Sequence, residues 1–247
     1  MARIEVRSLA KQYAAGTIAI QDVSFEVGSG EFVSIVGPSG CGKSTLLRIM
    51  SGLDHASAGS IETSFDSSRP ALPAAMVFQE HAQLFPWMRL RENVAFAFDT
   101  LKLSRSEVER RVREQLEAVG LGDFLAAFPH ELSGGMKQRA AVARAFAVDA
   151  PLLFMDEPFG ALDEQTRIGL VATLGELWAS SKKTVVFVTH GIEEAVTLSD
   201  RIVVMSSRPS TIREIVTVDL PRPRDPIALR SDAAFHRHVT RIWELLR

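Results

Sequence analysis

The chain has 247 residues, 46% of them hydrophobic and 23% charged, and a formal net charge of −2. That length can bury a sizeable core, the balance is that of a folded soluble protein, and there is no global positive field of the kind that marks a nucleic-acid binder, so no nucleic acid is expected as a partner. Cys41 is the single cysteine, which excludes an internal disulfide and makes a reducing compartment the expected home.

Residues 1–6 lack the apolar core of a signal peptide. No apolar run approaches the ~20 residues that cross a bilayer. Any service to a membrane is therefore expected from its side, through a partner. In chain order, strands are predicted at 4–6, 20–27 and 32–36, then a glycine-rich turn and a helix over 43–50. Residues 60–78 read as further β structure, broken by the loop Asp66-Ser67-Ser68-Arg69-Pro70. Ser104 to Glu107 has capping-box spacing, Val108, Val112, Leu116 and Val119 share one helical face, and Gly120 stops the run. The alternating charges of its other face, from Glu107 to Glu114, read as a solvated surface. After Pro151 the pattern alternates: strand 152–155, helix 164–181, strand 184–188, helix 192–198, strand 202–205. That alternation predicts a parallel sheet covered by helices. A β-like stretch at 212–218, a proline-rich turn and an amphipathic helix with Phe235, Val239, Ile242 and Leu246 on one face complete the chain. The expected organisation is a core sheet at 1–84 and 151–205, a helical insertion at 85–150 and an appendage at 206–247.

Gly37-Pro38-Ser39-Gly40-Cys41-Gly42-Lys43-Ser44 fits a phosphate-binding loop. Its glycines let backbone N–H groups turn inward around anionic oxygens, above the N-terminus of the helix that follows. Lys43 is expected to reach the β- and γ-phosphates and the Ser44 hydroxyl to ligate Mg²⁺, with Thr45 next in the helix. Cys41 reads as a small space-filling residue. The apolar strand at 152–155 runs into Asp156 and Glu157. Its carboxyl end faces the ligand crevice of an open α/β sheet. Asp156 can there hold Mg²⁺ while Glu157 points at an attacking water. Leu132-Ser133-Gly134-Gly135-Met136 supplies a second anion site, because Ser133 can cap a helix whose first turn is bare backbone. Two phosphate sites in one chain invite an arrangement in which each nucleotide touches two chains.

On these residues the sequence resembles an ABC transporter nucleotide-binding subunit over nearly its whole length. The family signature is Leu-Ser-Gly-Gly-Gln, with Met136 here in place of the glutamine. The resemblance implies an α/β fold: a P-loop NTPase core with a parallel sheet, an N-terminal antiparallel β subdomain and a helical signature subdomain. It implies ATP and Mg²⁺ as cofactors, Tyr13 as the ring that stacks on adenine, and Gln79 as a Mg²⁺ contact. It further implies Ala161-Leu162-Asp163 as a segment crossing the dimer interface and His190 as a γ-phosphate contact. Glu157, His190, Gln79 and Lys43 are then the catalytic set. Gly37 through Thr45, with Ser133, Gly134 and Gly135 of a second copy, bind the nucleotide. The implied partners are that second copy, an integral-membrane permease and, indirectly, an extracytoplasmic solute-binding protein, with the chain on the cytoplasmic face of the cell membrane. Gly191 stands where many relatives carry Asp, and residues 62–74 match poorly.

Residues 45–132 leave no room for the coiled coil of a chromosome ATPase, and one cassette is present where translation factors carry two. A small-molecule P-loop kinase would not explain the signature. A soluble ABC-class ATPase of the iron–sulfur-assembly kind stays open as the alternative to a transporter subunit. Phe85-Pro86-Trp87-Met88 with Asn93-Val94, the signature, and the tail from Arg208-Pro209 to Arg224 resemble the nitrate, sulfonate and taurine importer branch. The large apolar groups at 79–98 are either local core or a docking groove for the permease.

Overall fold

The computed structural model describes residues 2–14, 16–65, 73–79, 84–99, 101, 103–148, 150–160 and 162–247. The loop expected at 66–70, residues 80–83 and Ala161 lie outside that set. Two sheets form. The first is antiparallel, in the order β2-β1-β4, from β1 (Ala2–Gln12), β2 (Ile18–Val27) and β4 (Ala58–Phe65). The second has the order β5-β6-β7-β3-β8-β9, from β3 (Phe32–Val36), β5 (Ala74–Val77), β6 (Leu152–Asp156), β7 (Thr184–Val188), β8 (Arg201–Met205) and β9 (Ile212–Thr217). Its first five strands are parallel, and β9 pairs antiparallel with β8. The β-like part of the stretch assigned from sequence to an appendage is thus an edge strand of the main sheet.

β3, β6 and β7 are buried along their whole length, as strands covered on both faces must be. Alternate residues serve opposite layers, following the period of two. Val185 and Phe187 pack on the helical side with Leu153 and Met155. Val186 and Val188 pack on the other side with Leu152, Phe154 and the antiparallel sheet. Between the two sheets lies α1 (Lys43–Met50), with Leu46, Leu47, Ile49 and Met50 in that second core. Burying each such side chain stabilises the fold by about 1.5–3 kcal/mol. The helix beneath the phosphate loop is therefore clamped from both sides.

The helical side carries α2 (Leu90–Ala95), α3 (Arg105–Ala118), α4 (Gly134–Ala147) and α5 (Glu164–Ser181). α6 (Ile192–Leu198) and α7 (Ala233–Leu246) cover β8 and β9 through Val196, Phe235 and Ile242. The capping box expected at Ser104 forms only by half. Ser104 Oγ accepts from Glu107 N at 3.3 Å, but the Glu107 carboxylate is taken by Arg110 and Arg111, which hold its carboxyl down at about 2. The remaining ion pairs of this face lie in solvent and contribute little.

Candidate active site

Four adjacent strands, β5, β6, β7 and β3, end at the same edge and deliver the expected site residues there. β3 runs into the loop 37–44, which enters α1 at Gly42. Gly42 has φ 111°, left-handed backbone that a side chain would strain, and a Cβ there would press on Ala19 O at 3.2 Å. Lys43 is 4% exposed and donates to Gly37 O at 3.0 Å and Pro38 O at 3.2 Å, so its ammonium lies across the mouth of its own loop. Cys41 is buried, and its carbonyl accepts the hydroxyl of Ser210 from the turn between β8 and β9. Ser210 also bridges to Ile20 of β2. Tyr13 is half exposed, and its hydroxyl lies 3.0 Å from Thr45 Oγ1, which places an open aromatic ring beside the first turn of α1.

Ser44 Oγ donates to Asp156 Oδ1 at 2.8 Å. These two oxygens suit a hard cation. Gln79 donates through Nε2, so its Oε1 is a further atom of the right kind. Among the described residues no group of three or more His, Cys, Asp or Glu could hold a metal. A cation here would take its other ligands from phosphate and water, as Mg²⁺ does. The residues present therefore fit that ion.

Glu157 is buried at the end of β6 with φ 46°, rare for a residue with a side chain. Its N–H still donates to Val188 O at 2.9 Å, so the backbone turns without leaving β7. The carboxylate then lies between the neighbouring strand ends. Gln79 Nε2 is 2.9 Å from Oε2, and His190 Nε2 is 2.6 Å from Oε1. Strained backbone held by surrounding bonds is common where a group must be presented in one orientation.

Ser133 caps α4 by accepting from Met136 N at 3.3 Å. No hydrogen bond among the described residues joins Ser133, Gly134 or Gly135 to the loop 37–44. The two glycines differ. A Cβ on Gly134 would meet nothing within 4 Å, whereas one on Gly135 would lie 2.7 Å from Thr166 Cγ2. Gly135 serves the packing of α4 on α5, and Gly134 leaves an open backbone surface. Asp163 caps α5 through Thr166 N at 3.0 Å and Thr166 Oγ1 at 2.7 Å.

The apolar cluster at 84–98 divides. Leu84, Leu90, Val94 and Phe98 are core, while Trp87 is 70% exposed and Phe96 is exposed, each ring packing on Phe85. Asn93, fully buried, holds the bend: it accepts from Phe85 N at 2.7 Å and donates to the carbonyls of Phe85 and Met88 at 3.1 and 3.0 Å. Three residues that brace the site went unflagged in the sequence. Ser210 grips the phosphate loop, Thr189 is buried beside His190, and Glu194 accepts the Thr189 hydroxyl. Only Glu194 left a signal, four residues after His190 on a helix.

A strand–loop–helix cradle with a Ser–Asp pair and a presented glutamate, at the carboxyl edge of a parallel sheet, defines a P-loop nucleoside triphosphatase. The ABC transporter family model matches residues 20–160. The chain is 42% identical over 225 residues to the aliphatic sulfonates import ATP-binding protein of Bacillus cereus, covering 90% of this chain and 88% of that protein. It is 42% identical over 230 residues to an uncharacterized ABC transporter ATP-binding protein of Methanocaldococcus jannaschii, covering 93% and 84%. Among solved structures it is similar to a dimeric ATP-binding cassette in a post-hydrolysis state bound to ADP and Pi, with TM-score 0.74 and 31% identity over 88% of this chain and 100% of that one. The chain belongs to the ABC transporter family, as an ATP-binding, ATP-hydrolysing cassette.

Proposed function

We propose that this cassette is the motor subunit of an importer, coupling ATP hydrolysis by a pair of copies to solute passage through a membrane permease. The observation that carries the catalytic part is the placement of Glu157 one residue beyond the Ser44–Asp156 pair, held by Gln79 and His190. Lys43 and the N–H groups of 37–45 bind the β- and γ-phosphates, and Tyr13 stacks on the adenine. Ser44 and Asp156 would hold Mg²⁺, with Gln79 as a further ligand, and the ion would neutralise charge at the phosphates. Glu157 accepts a proton from the attacking water, and His190 donates to the γ-phosphate oxygen. Most of the rate then comes from positioning and from charge already in place. Ser133, Gly134 and Gly135 of a second copy close over the γ-phosphate, and loss of that phosphate reopens the pair.

The exposed Trp87, with Phe96, is the proposed permease contact, on the helical subdomain at 85–150. No helix among the described residues is long and apolar enough to cross a membrane. The likeness to an import ATP-binding protein supports a peripheral place on the cytoplasmic face. The likeness to a sulfonate importer subunit supports a small-anion cargo such as an alkanesulfonate, taurine or nitrate, delivered by an extracytoplasmic binding protein. No residue of a cassette touches cargo, so this part rests on likeness alone.

Two experiments test the reading. The cassette should co-purify with a polytopic membrane protein; recovery as a stand-alone ATPase would favour the soluble class. Cells lacking the gene should lose uptake of radiolabelled sulfonate, taurine or nitrate. Unchanged uptake of all three would remove the cargo and leave the motor.

A further inference from the structure

The loop after β7 is held by a group that the activity has not yet used. Thr189 is buried and donates its hydroxyl to Glu194 Oε2. The same oxygen of Thr189 accepts from Gly191 N at 2.9 Å, which fixes the turn carrying His190. Position 191 has no side chain, and the Glu194 carboxylate occupies the space one would take. A Cβ on Gly191 would lie 2.5 Å from Glu194 Cδ and 2.7 and 2.8 Å from its oxygens. The Glu194 side chain is only 11% exposed.

On its far side the carboxylate faces Arg167 of α5. Arg167 Nε stands 3.6 Å from Glu194 Oε1, an ion-pair distance too long for a hydrogen bond, and among the described residues this buried N–H has no hydrogen-bond partner. The other end of the guanidinium donates Nη2 to Leu162 O at 2.9 Å, next to Asp163. A continuous chain of polar contacts therefore runs from the loop of His190 through Thr189, Glu194 and Arg167 to Leu162.

We propose that Glu194 is a positioning residue for ATP hydrolysis: paired with Arg167, it holds the loop that presents His190 and ties it to the Leu162–Asp163 segment that faces the second copy. The inference rests on the roles given above to His190 and to that segment. Its physical basis is the cost of the arrangement. Burial pushes the Glu194 carboxyl above its ordinary value; Thr189 and Arg167 pull it down, and the neighbouring Glu164 and Glu157 push it up. A buried carboxylate among other carboxylates opposes folding, and an amide would fit with less penalty. The contact that this cost is set against is Arg167, whose Nε stands 3.6 Å from Glu194 Oε1.

The test is Glu194→Gln in the full chain, which keeps the acceptor for Thr189 and removes the charge. The expected result is a kcat lower by about tenfold, with the affinity for a fluorescent ATP analogue within about twofold of wild type and no loss of thermal stability. Arg167→Gln should give the same kcat loss, and the double variant should be no slower than either single one, because the pair acts as a unit. A Glu194→Gln chain that turns over at wild-type rate overturns the proposal. So does a loss matched by weaker nucleotide binding and a lower melting temperature, which marks a structural role. Glu157→Gln, run alongside, separates the two levels. If it leaves hydrolysis intact, the site reading itself has failed; if it abolishes hydrolysis while Glu194→Gln does not slow it, only this inference falls.

Discussion

Glu157 Oε1 and His190 Nε2 lie 2.6 Å apart, each at the end of its own strand. β6 and β7 are parallel neighbours in register, Asp156 opposite Val188. Glu157, one residue past Asp156, and His190, two residues past Val188, thus meet above the end of the sheet. Gln79, at the end of β5, closes on the other carboxylate oxygen. One glutamate is held from both sides by groups on the adjacent strands, beside the Ser44–Asp156 pair.

That arrangement separates binding from chemistry. Glu157→Gln keeps the cradle and removes the proposed proton acceptor, so hydrolysis should fall by at least about a hundredfold while ATP binding persists. An ATP-bound dimer should then accumulate on size-exclusion chromatography. Lys43→Ala should instead lose ATP binding. Wild-type turnover in Glu157→Gln would show that another group activates the water.

The two signature glycines should respond differently to the same methyl. Thr166 is locked by both bonds to Asp163. It cannot yield to a Cβ at Gly135, and Gly135→Ala should cost about 1–3 kcal/mol of stability, read by urea unfolding. Gly134→Ala meets nothing; it should fold as wild type and lose hydrolysis through the second copy. Ser133→Arg should likewise leave ATP photo-crosslinking to the isolated chain near normal. Full hydrolysis by a dilute monomer of any of these would rule out shared sites.

Trp87 and Asn93 should part in the same way. Trp87 is exposed, so Trp87→Ala should leave circular dichroism and basal ATPase unchanged while weakening capture of the permease. Asn93 supports the bend from inside. Asn93→Ala leaves buried backbone groups unpaired and should cost about 1–3 kcal/mol. A Trp87→Ala chain that unfolds would place that indole in the core.

Glu194 gives a pH signature. Its carboxyl is raised above the ordinary 4.5, with burial the first cause. A carboxyl that binds its proton more tightly folded than unfolded favours the fold at low pH and loses that contribution as pH rises through its raised value. Wild type should therefore lose stability relative to Glu194→Gln as pH climbs from 4.5 toward neutrality. Urea midpoints measured across that range check the sign. A difference that grows in favour of wild type would contradict it.

What the sequence determined by itself is the chemistry carried by contiguous residues. The loop 37–45, the strand running into Asp156 and Glu157, and the cap at Ser133 are each a short run whose backbone and side chains act together, so spacing alone reveals them. The buried strands β3, β6 and β7 and the helices α3, α5 and α6 followed from their residue pattern for the same reason. Contacts between distant segments were decided only by the tertiary structure. Glu107 has the right spacing for a capping box, yet two arginines on its own helix compete for it successfully. The apolar run around Pro86 carries no mark of which rings turn inward; Asn93 decides that through backbone groups on the bend. Ser210 reaches Cys41 because β8 lies beside β3 and the turn after it folds over the loop. Glu194 fills the space beside Gly191 because one turn of α6 carries it back there. Such pairings depend on where whole strands and helices pack, and that is set by the buried faces of the entire sheet, not by any local run of residues.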